Sequence, residues 1–424
     1  MKSSPGFSPR WLVAALTLTA TAFGADAGVK ELVEQNRLLA EQVRAQQRQI
    51  DELRSRLDRM DEPAAPIKLP TSESDRSIRL SGEASLAYFD GGKNSWAPTS
   101  EFRVDDARLF VEASVWKNVF FYGALEITTR EANDEYFHVG ELYVDFEDVW
   151  RSDRNHSLSL RAGRMNLPFG EEYLVRNPID NPLVSHSLAD IWGVDEGIQL
   201  YGTLGPVRYN LAVQNGSHPT LEDFDSDKSV AVRLAYNPTA RLALSVSAMR
   251  TGDINVAGDG TSESWFANAF FRAIGPPGEA TVFGVDLAEL DAAYRWQTGH
   301  LKAAHGWVRY DDNNPDADFS RDLTYYSLEG MQYLTAKWYA AARYSAIDAP
   351  GGYPLAGHGG KGRYFYNPFA PLTKDLQRLS VGFGYRFAEP MVWKIEYSWE
   401  DGHLANGAKR HDEDMFSSLL GVRF

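Results

Sequence analysis

The chain has 424 residues, of which 43% are hydrophobic and 24% charged, and it contains no cysteine. This composition is too apolar for a disordered chain, and without cysteine there are no disulfides, thiolate metal ligands or thiol nucleophiles. The formal net charge of -15 argues against nucleic-acid binding, which needs an excess of Lys and Arg. Beyond the N-terminus no run of 18 apolar residues occurs, so membrane-spanning helices are not expected.

Residues 1–27 have the pattern of an export signal. Basic residues precede a short apolar run, Trp11–Phe23, and the small-residue pattern Ala25-Asp26-Ala27 follows it. A buried N-terminal helix is the alternative. The order of basic flank, apolar run and small residues favours export and a mature chain that starts near Gly28.

Residues 28–60 carry a heptad repeat typical of a coiled coil. Eight of the ten a and d positions counted from Val29 are apolar, and the residues between them are mostly charged or amide-bearing. The predicted seam consists of Leu32, Asn36, Leu39, Val43, Gln46, Ile50, Leu53 and Leu57. One helix alone cannot bury such a seam, so partner helices are expected; a solitary helix lying on the rest of the protein is the alternative. The Pro-containing residues 61–76 are predicted to form a stiff linker.

From residue 77 onward the sequence alternates with period 2. In Ile78–Tyr88, Ala107–Ala113 and Leu379–Phe387 apolar residues alternate with charged or small ones, as in β-strands with one apolar face. Tight turns are predicted at 116–118, 204–206, 237–240, 297–299, 334–337 and 388–390, with a longer one near 147–156. Long polar loops are predicted near 90–101, 130–136, 166–195, 215–228, 251–281, 311–322, 347–375 and 400–413.

Seven turns and eight loops separate sixteen strands. A β-sandwich in water would show the same alternation of apolar and polar residues. Short connections alternating with long ones, aromatic residues at strand ends, and a last strand that ends on Phe424 instead favour a closed membrane barrel. The predicted fold is all-β: a 16-stranded antiparallel transmembrane β-barrel over residues 77–424, preceded by the short N-terminal coiled-coil helix.

Three segments resemble the phosphate-selective porin O and P family. The run from Gly163-Arg164 to Phe169-Gly170 and Glu172 resembles the family's G-R-x-x-x-x-F-G-x-E stretch, which opens the third external loop. Phe102–Leu109 resembles the family's second strand, and Asp195–Gln199 resembles the strand that returns from the loop. The resemblance covers residues 77 to about 215 and implies a trimeric 16-stranded diffusion pore with inward-folded loops. The second strand has fewer arginines than is usual in the family, so general diffusion and phosphate or other anions both stay open as functions.

A barrel of about 16 strands leaves an aqueous channel, so selection requires something that narrows it. The loops 166–195 and 251–281, each about 30 residues, are long enough to do so, and the apolar stretch Trp265–Phe271 is expected either inside the lumen or at a subunit contact. The predicted lumen wall includes Arg79, Glu83, Asp106, Arg108, Glu112, Glu126, Glu141, Arg208, Arg233, Arg295, Arg343 and Arg386. The constriction candidates are Arg161, Arg164, Arg176 and Arg272 for an anion ring, and Glu171, Glu172 and Asp180 for a cation ring. A salt bridge that only holds a loop is the alternative for each.

Motifs for catalysis and metal binding are missing from the sequence. It has no G-x-S-x-G and no H-E-x-x-H, and Asp223–Asp227 begins like a calcium loop but continues with Lys228 where Gly is needed. No enzyme activity, cofactor or metal is therefore expected; a motif-free catalytic pair such as His138 with Glu141 is the alternative.

The expected location is the bacterial outer membrane, with the coiled coil in the periplasm. The expected partners are outer-membrane lipid and lipopolysaccharide, further copies of the chain in a homotrimer, and small solutes or ions. The predicted function is that of an outer-membrane porin. A barrel that acts as a structural anchor or receptor, without significant conduction, is the alternative.

Overall fold

A computed structural model describes residues 77–424 except for 129–136, 154, 189, 192, 217–225, 256–280, 315–318, 356 and 359–371. The predicted signal peptide, coiled coil and linker lie outside the described residues, as do Arg272 and the stretch Trp265–Phe271. The described part of the chain is almost entirely β-structure, with one short 3₁₀ helix at Glu172–Val175.

Sixteen long strands form one antiparallel sheet in the described part of the chain. They are β1 (Ile78–Gly91), β2 (Glu101–Trp116), β3 (Val119–Thr128), β4 (His138–Asp153), β5 (His156–Asn166), β6 (Val194–Leu204), β7 (Val207–Gln214), β8 (Ser229–Tyr236), β9 (Leu242–Arg250), β10 (Val282–Trp296), β11 (Gly299–Asp312), β12 (Arg321–Tyr333), β13 (Trp338–Pro354), β14 (Leu372–Ala388), β15 (Met391–Leu404) and β16 (Met415–Arg423). Two further two-residue strands, Ile254–Asn255 and Lys409–Arg410, extend the pairing beyond β10 and β15.

The sheet closes on itself because β1 pairs with both β2 and β16. At this seam the Gly82 N–H donates to the Phe424 carbonyl at 3.0 Å, and the Phe424 N–H donates to the Gly82 carbonyl at 2.9 Å. A Cβ at Gly82 would lie 2.9 Å from the Arg108 carbonyl oxygen and 2.7 Å from the Phe424 ring, so this close approach requires glycine. Closure leaves no unpaired strand edge, and the predicted 16-stranded antiparallel barrel is confirmed.

Short turns connect the strands at one rim of the barrel, here called the short-turn rim, and long loops connect them at the other, the long-loop rim. The predicted longer turn near 147–156 is wrong, because β4 continues to Asp153 and β5 begins at His156. The strand passes through a bulge, where Asp148 has φ of 51° and its N–H donates to the Ser159 hydroxyl at 3.0 Å. Similarly, β13 runs on to Pro354, beyond the position at which a loop is predicted to start.

Alternate residues of each strand face outward and are mostly apolar. In β10, for example, Leu290 is 51% exposed, whereas its neighbours Glu289 and Asp291 are 5% and 8% exposed. Exposed aromatic residues such as Tyr236 and Trp399 lie toward the two rims on this outer face. The barrel therefore has an apolar outer face bordered by aromatic residues, which suits the hydrocarbon layer of a membrane.

In the parts of the chain that the structure describes, no helix is both long enough and apolar enough to cross a lipid bilayer.

Candidate pore constriction

The connection between β5 and β6, residues 167–193 and here called the inner loop, lies inside the barrel. The Gly170 N–H donates to the hydroxyl of Ser247 on β9 at 3.0 Å, and the Leu188 N–H donates to that of Ser345 on β13 at 3.1 Å. Arg423 at the end of β16 donates to the Asn177 amide oxygen at 2.8 Å. Because these strands lie on different sides of a closed barrel, only a segment within the interior can reach all of them.

Apolar packing attaches one side of the inner loop to the wall. The loop contributes Leu167, Phe169, Leu188 and Ile191 to a buried cluster that also includes inward side chains of β7–β14. Phe169 is only 1% exposed. Burial of such a side chain contributes about 1.5–3 kcal/mol, so the cluster is a major source of loop stability. It also fills the lumen on that side toward the long-loop rim.

Basic residues of the wall hold the inner loop by its main-chain carbonyl groups. Their side chains donate as follows: Arg343 to the carbonyl of Ser185 at 2.7 Å, Arg378 to that of His186 at 3.3 Å, Arg386 to that of Ile179 at 3.1 Å, and Lys394 to those of Asn181 and Leu183 at 2.9 and 2.8 Å. Hydrogen bonds from charged donors are worth about 1.5–3 kcal/mol each. On β13–β15 these cationic groups are therefore engaged in docking the loop.

Glu396 on β15 complements this basic set. Its carboxylate accepts the main-chain N–H groups of Val184 and Ser185 at 2.6 and 2.8 Å, and the Ser185 hydroxyl also donates to it. The Ser185 hydroxyl oxygen lies 3.2 Å from that of Ser380 on β14. The Glu396 carboxylate accepts from N–H groups of the loop backbone, and the wall cations donate to its carbonyl groups. Both kinds of backbone group therefore have partners, as a buried segment requires.

Among the constriction candidates, Arg176 is buried in an ion cluster within the inner loop. Its guanidinium lies 2.7 Å from the Asp190 carboxylate, and the His186 ring lies 3.1 Å from the same carboxylate. Burial alone would raise the pKa of Asp190, but Arg176 and His186 outweigh it and hold this pKa well below its usual range. The cluster therefore stabilises the loop from within.

The acidic candidates of the inner loop also have partners. Glu171 accepts from Arg233 on β8, and from the Ser245 hydroxyl on β9 at 3.1 Å. Glu172 accepts the Ser187 N–H at 2.8 Å. Asp180 lies 2.9 Å from the Arg423 guanidinium, which together with Asn177 holds the pKa of Asp180 below its usual range despite partial burial.

Arg164 occupies a different environment, at a second bulge of β4 near Gly140, where the pairing with β3 shifts register. Its guanidinium donates to the carbonyls of Val139 and Gly140 at 3.3 and 3.0 Å and lies 3.0 Å from the Glu196 carboxylate. Only 5% of Arg164 is exposed. The structure thus uses this arginine to satisfy carbonyl groups that the bulge removes from the strand ladder.

The strand register places all twelve predicted wall residues on the inner face, but their exposure differs. On β2 and β5 the side chains of Arg108, Glu112 and Arg161 are 18%, 50% and 24% exposed. Arg343 and Arg378, under the inner loop, are only 5% and 3% exposed. We call the inward side chains of β2–β6 between Asp106 and Tyr201 the open lane, because the inner loop leaves several of them, such as Glu112 and Arg161, in partial contact with solvent. Asp106 and Asp145 of this lane are 6% and 7% exposed.

The open lane also carries a stack of aromatic rings. Tyr122 on β3 and Tyr143 on β4 have ring centroids 5.0 Å apart, and Phe110 on β2 lies 6.3 Å from Tyr122. Arg161 lies 4.1 Å from the Tyr143 centroid and 5.3 Å from that of Tyr201. These tyrosines are not among the residues predicted from the sequence, although their spacing from the inward residues Glu112, Glu126, Glu141 and Asp145 places them on the same face.

Toward the short-turn rim, the inner loop and β10–β12 enclose a space of about 820 Å³, part of which is open to solvent. Its lining includes the loop residues Glu171 and Glu172 and the wall residues Glu289, Asp291 and Lys302. A cavity therefore lies below the inner loop, in addition to the open lane.

No model of a known protein family and no curated protein matches the sequence. Solved structures with a similar fold include the outer membrane channel DcaP of Acinetobacter baumannii, with 11% identity and a TM-score of 0.55 over 84% of this chain and 100% of that one. A trimer form of OmpT, an outer membrane protein of Vibrio cholerae, has 12% identity and a TM-score of 0.52 over 82% and 99% of the two chains. An anion-selective porin from Comamonas acidovorans has 12% identity and a TM-score of 0.50, also over 82% and 99%. At this identity the likeness establishes the shared barrel fold.

Proposed function

We propose that the chain is an outer-membrane porin through which small hydrophilic solutes and ions diffuse passively. The open lane carries this proposal: beside a tightly docked inner loop, a polar strip of the inner wall keeps contact with solvent. A barrel of sixteen strands is wide enough for such a strip to line a continuous path. The apolar outer face and the fold shared with outer-membrane channels and porins support the membrane location.

The finer question is which solutes pass. The resemblance to the phosphate-selective family around Gly163-Arg164 supports phosphate or other anions, and one protein of similar fold is described as anion-selective. Among the described candidates for an anion ring, however, Arg161, Arg164 and Arg176 each form an ion pair. We therefore propose a general porin as the basic activity.

The proposed assembly is a homotrimer with a periplasmic coiled coil. The heptad seam over residues 28–60 supports self-association, and a protein of similar fold is described in a trimer form. The export signal over residues 1–27 is consistent with the proposed location.

Conductance across a planar lipid bilayer tests the proposal. The purified full chain is first shown to be folded, because an unheated sample migrates differently on a gel from a heated one. Stepwise current increases on addition of the protein are expected if the open lane conducts. A folded barrel that inserts into lipid but never passes current would overturn the porin function and favour the anchor or receptor alternative.

A further inference from the structure

Charge is unevenly distributed over the inner wall. In the middle of β2–β5 the open lane has more acidic than basic side chains: the carboxylates are Asp106, Glu112, Glu126, Glu141 and Asp145, and the guanidinium groups are Arg108 and Arg161. The basic residues of β13–β15, by contrast, are covered by the inner loop and bonded to it. A diffusing ion therefore meets a wall with an excess of negative charge.

Both guanidinium groups of the lane are already paired. Arg161 lies 2.8 Å from the Asp145 carboxylate, and Arg108 lies 3.3 Å from Asp106 and 3.7 Å from Glu126. Glu112 lies 3.3 Å from the guanidinium of Arg79 on β1. Glu141, which is partly exposed, accepts the Asn166 N–H at 3.1 Å, and no described Lys, Arg or His lies within ion-pair distance of it. With Arg79 counted, the five carboxylates still outnumber the three guanidinium groups.

We propose that the open lane passes cations in preference to anions. The proposal rests on the porin function proposed above and gives its solute class. It is opposite in sign to the anion preference that the family resemblance implies. The physical cause is the excess of carboxylates along the lane, beside an inner loop that covers the cationic groups of β13–β15 together with Glu396.

The reversal potential under a KCl gradient measures the preference directly. We expect a potassium preference in the wild type and, before screening by salt, a roughly 16-fold smaller potassium-to-chloride ratio in the double variant Glu112→Gln/Glu141→Gln. Two charges about 10 Å from an ion in water change its population by about fourfold, and the change is opposite for potassium and chloride. The matched control is Asp286→Asn/Asp348→Asn, which removes two exposed carboxylates from the outer face. This control is expected to keep the wild-type preference.

A chloride preference in the wild type would overturn the inference and leave the porin function intact. Equal shifts in the lane and control variants would overturn it too, because the effect would then come from net charge. The absence of any current from folded protein would refute the porin function itself.

Discussion

Replacing Lys394 by Met tests whether wall cations hold the inner loop in place. Lys394 on β15 is 1% exposed, and its ammonium group donates to the carbonyls of Asn181 and Leu183 at 2.9 and 2.8 Å. Methionine has a similar length and fills the same space without charge or donors. The variant therefore removes two charged hydrogen bonds from the docked loop while leaving the strand ladder of the barrel complete.

The magnitude follows from these two bonds. At about 1.5–3 kcal/mol each, their loss makes docking about 3–6 kcal/mol less favourable. Removing the desolvation cost of a buried ammonium offsets part of this, so the lower end of the range is the reasonable expectation. Since 1.4 kcal/mol corresponds to a factor of ten, the population of states with the loop displaced should rise about 100-fold.

Single-channel recording detects such states as visits to a larger conductance, because a displaced loop no longer narrows the lumen. We expect frequent visits in Lys394→Met and few in the wild type. The control is Lys409→Met, where the side chain is 63% exposed and lies 3.2 Å from Asp401. An exposed pair of this kind contributes at most about 1 kcal/mol. Folded Lys394→Met barrels with wild-type conductance and no larger states would refute the docking argument.

Three further predictions concern the same architecture. The double variant Ser185→Cys/Ser380→Cys should form a disulfide under oxidising conditions, because the two hydroxyl oxygens lie 3.2 Å apart and the chain has no other cysteine. If mass spectrometry finds free thiols after oxidation, the close approach of the inner loop to β14 is contradicted. Asp190→Asn should lower the heat-unfolding midpoint at pH 7, with a loss of about 3 kcal/mol in the free energy of unfolding. Because the pKa of Asp190 is depressed, the difference from wild type should persist at pH 5 and shrink below about pH 4. A difference that is independent of pH would rule out the ion cluster as its cause. Gly82→Val should lower the same midpoint more than Gly330→Val, since the nearest atom to a Cβ is 2.7 Å away at Gly82 and 3.8 Å away at Gly330; equal midpoints would mean that the seam tolerates a side chain.

The barrel could be predicted from the sequence because its signals are local. Period-2 alternation and the alternation of turns with loops depend only on neighbouring residues, and they indicate the strand number and the inward face of residues such as Glu112 and Arg343. The bulge of β4 at Asp148 could not be predicted in this way. It depends on a contact between Asp148 and Ser159, eleven residues apart and on different strands.

The candidate site was less accessible to sequence reasoning, because its character depends on which inward residues the inner loop covers. Arg161 and Arg386 carry the same charge on the same face, yet one stacks on Tyr143 in the open lane and the other donates to a loop carbonyl. Nothing in the strand pattern distinguishes them. The difference arises from the path of the inner loop across the barrel, which is a long-range property of the fold.

Loop docking and charge preference are consequently two aspects of one arrangement. While the inner loop is docked, its carbonyl groups engage Arg343, Arg378 and Lys394, and solvent reaches mainly the acidic lane. When the loop is displaced, those cationic groups lose their carbonyl partners and face the lumen together with Glu329, Glu396 and Glu400. The larger conductance states expected in Lys394→Met should therefore be less cation-preferring than the main state of the same channel, because opening the loop widens the path with a wall whose charges nearly balance.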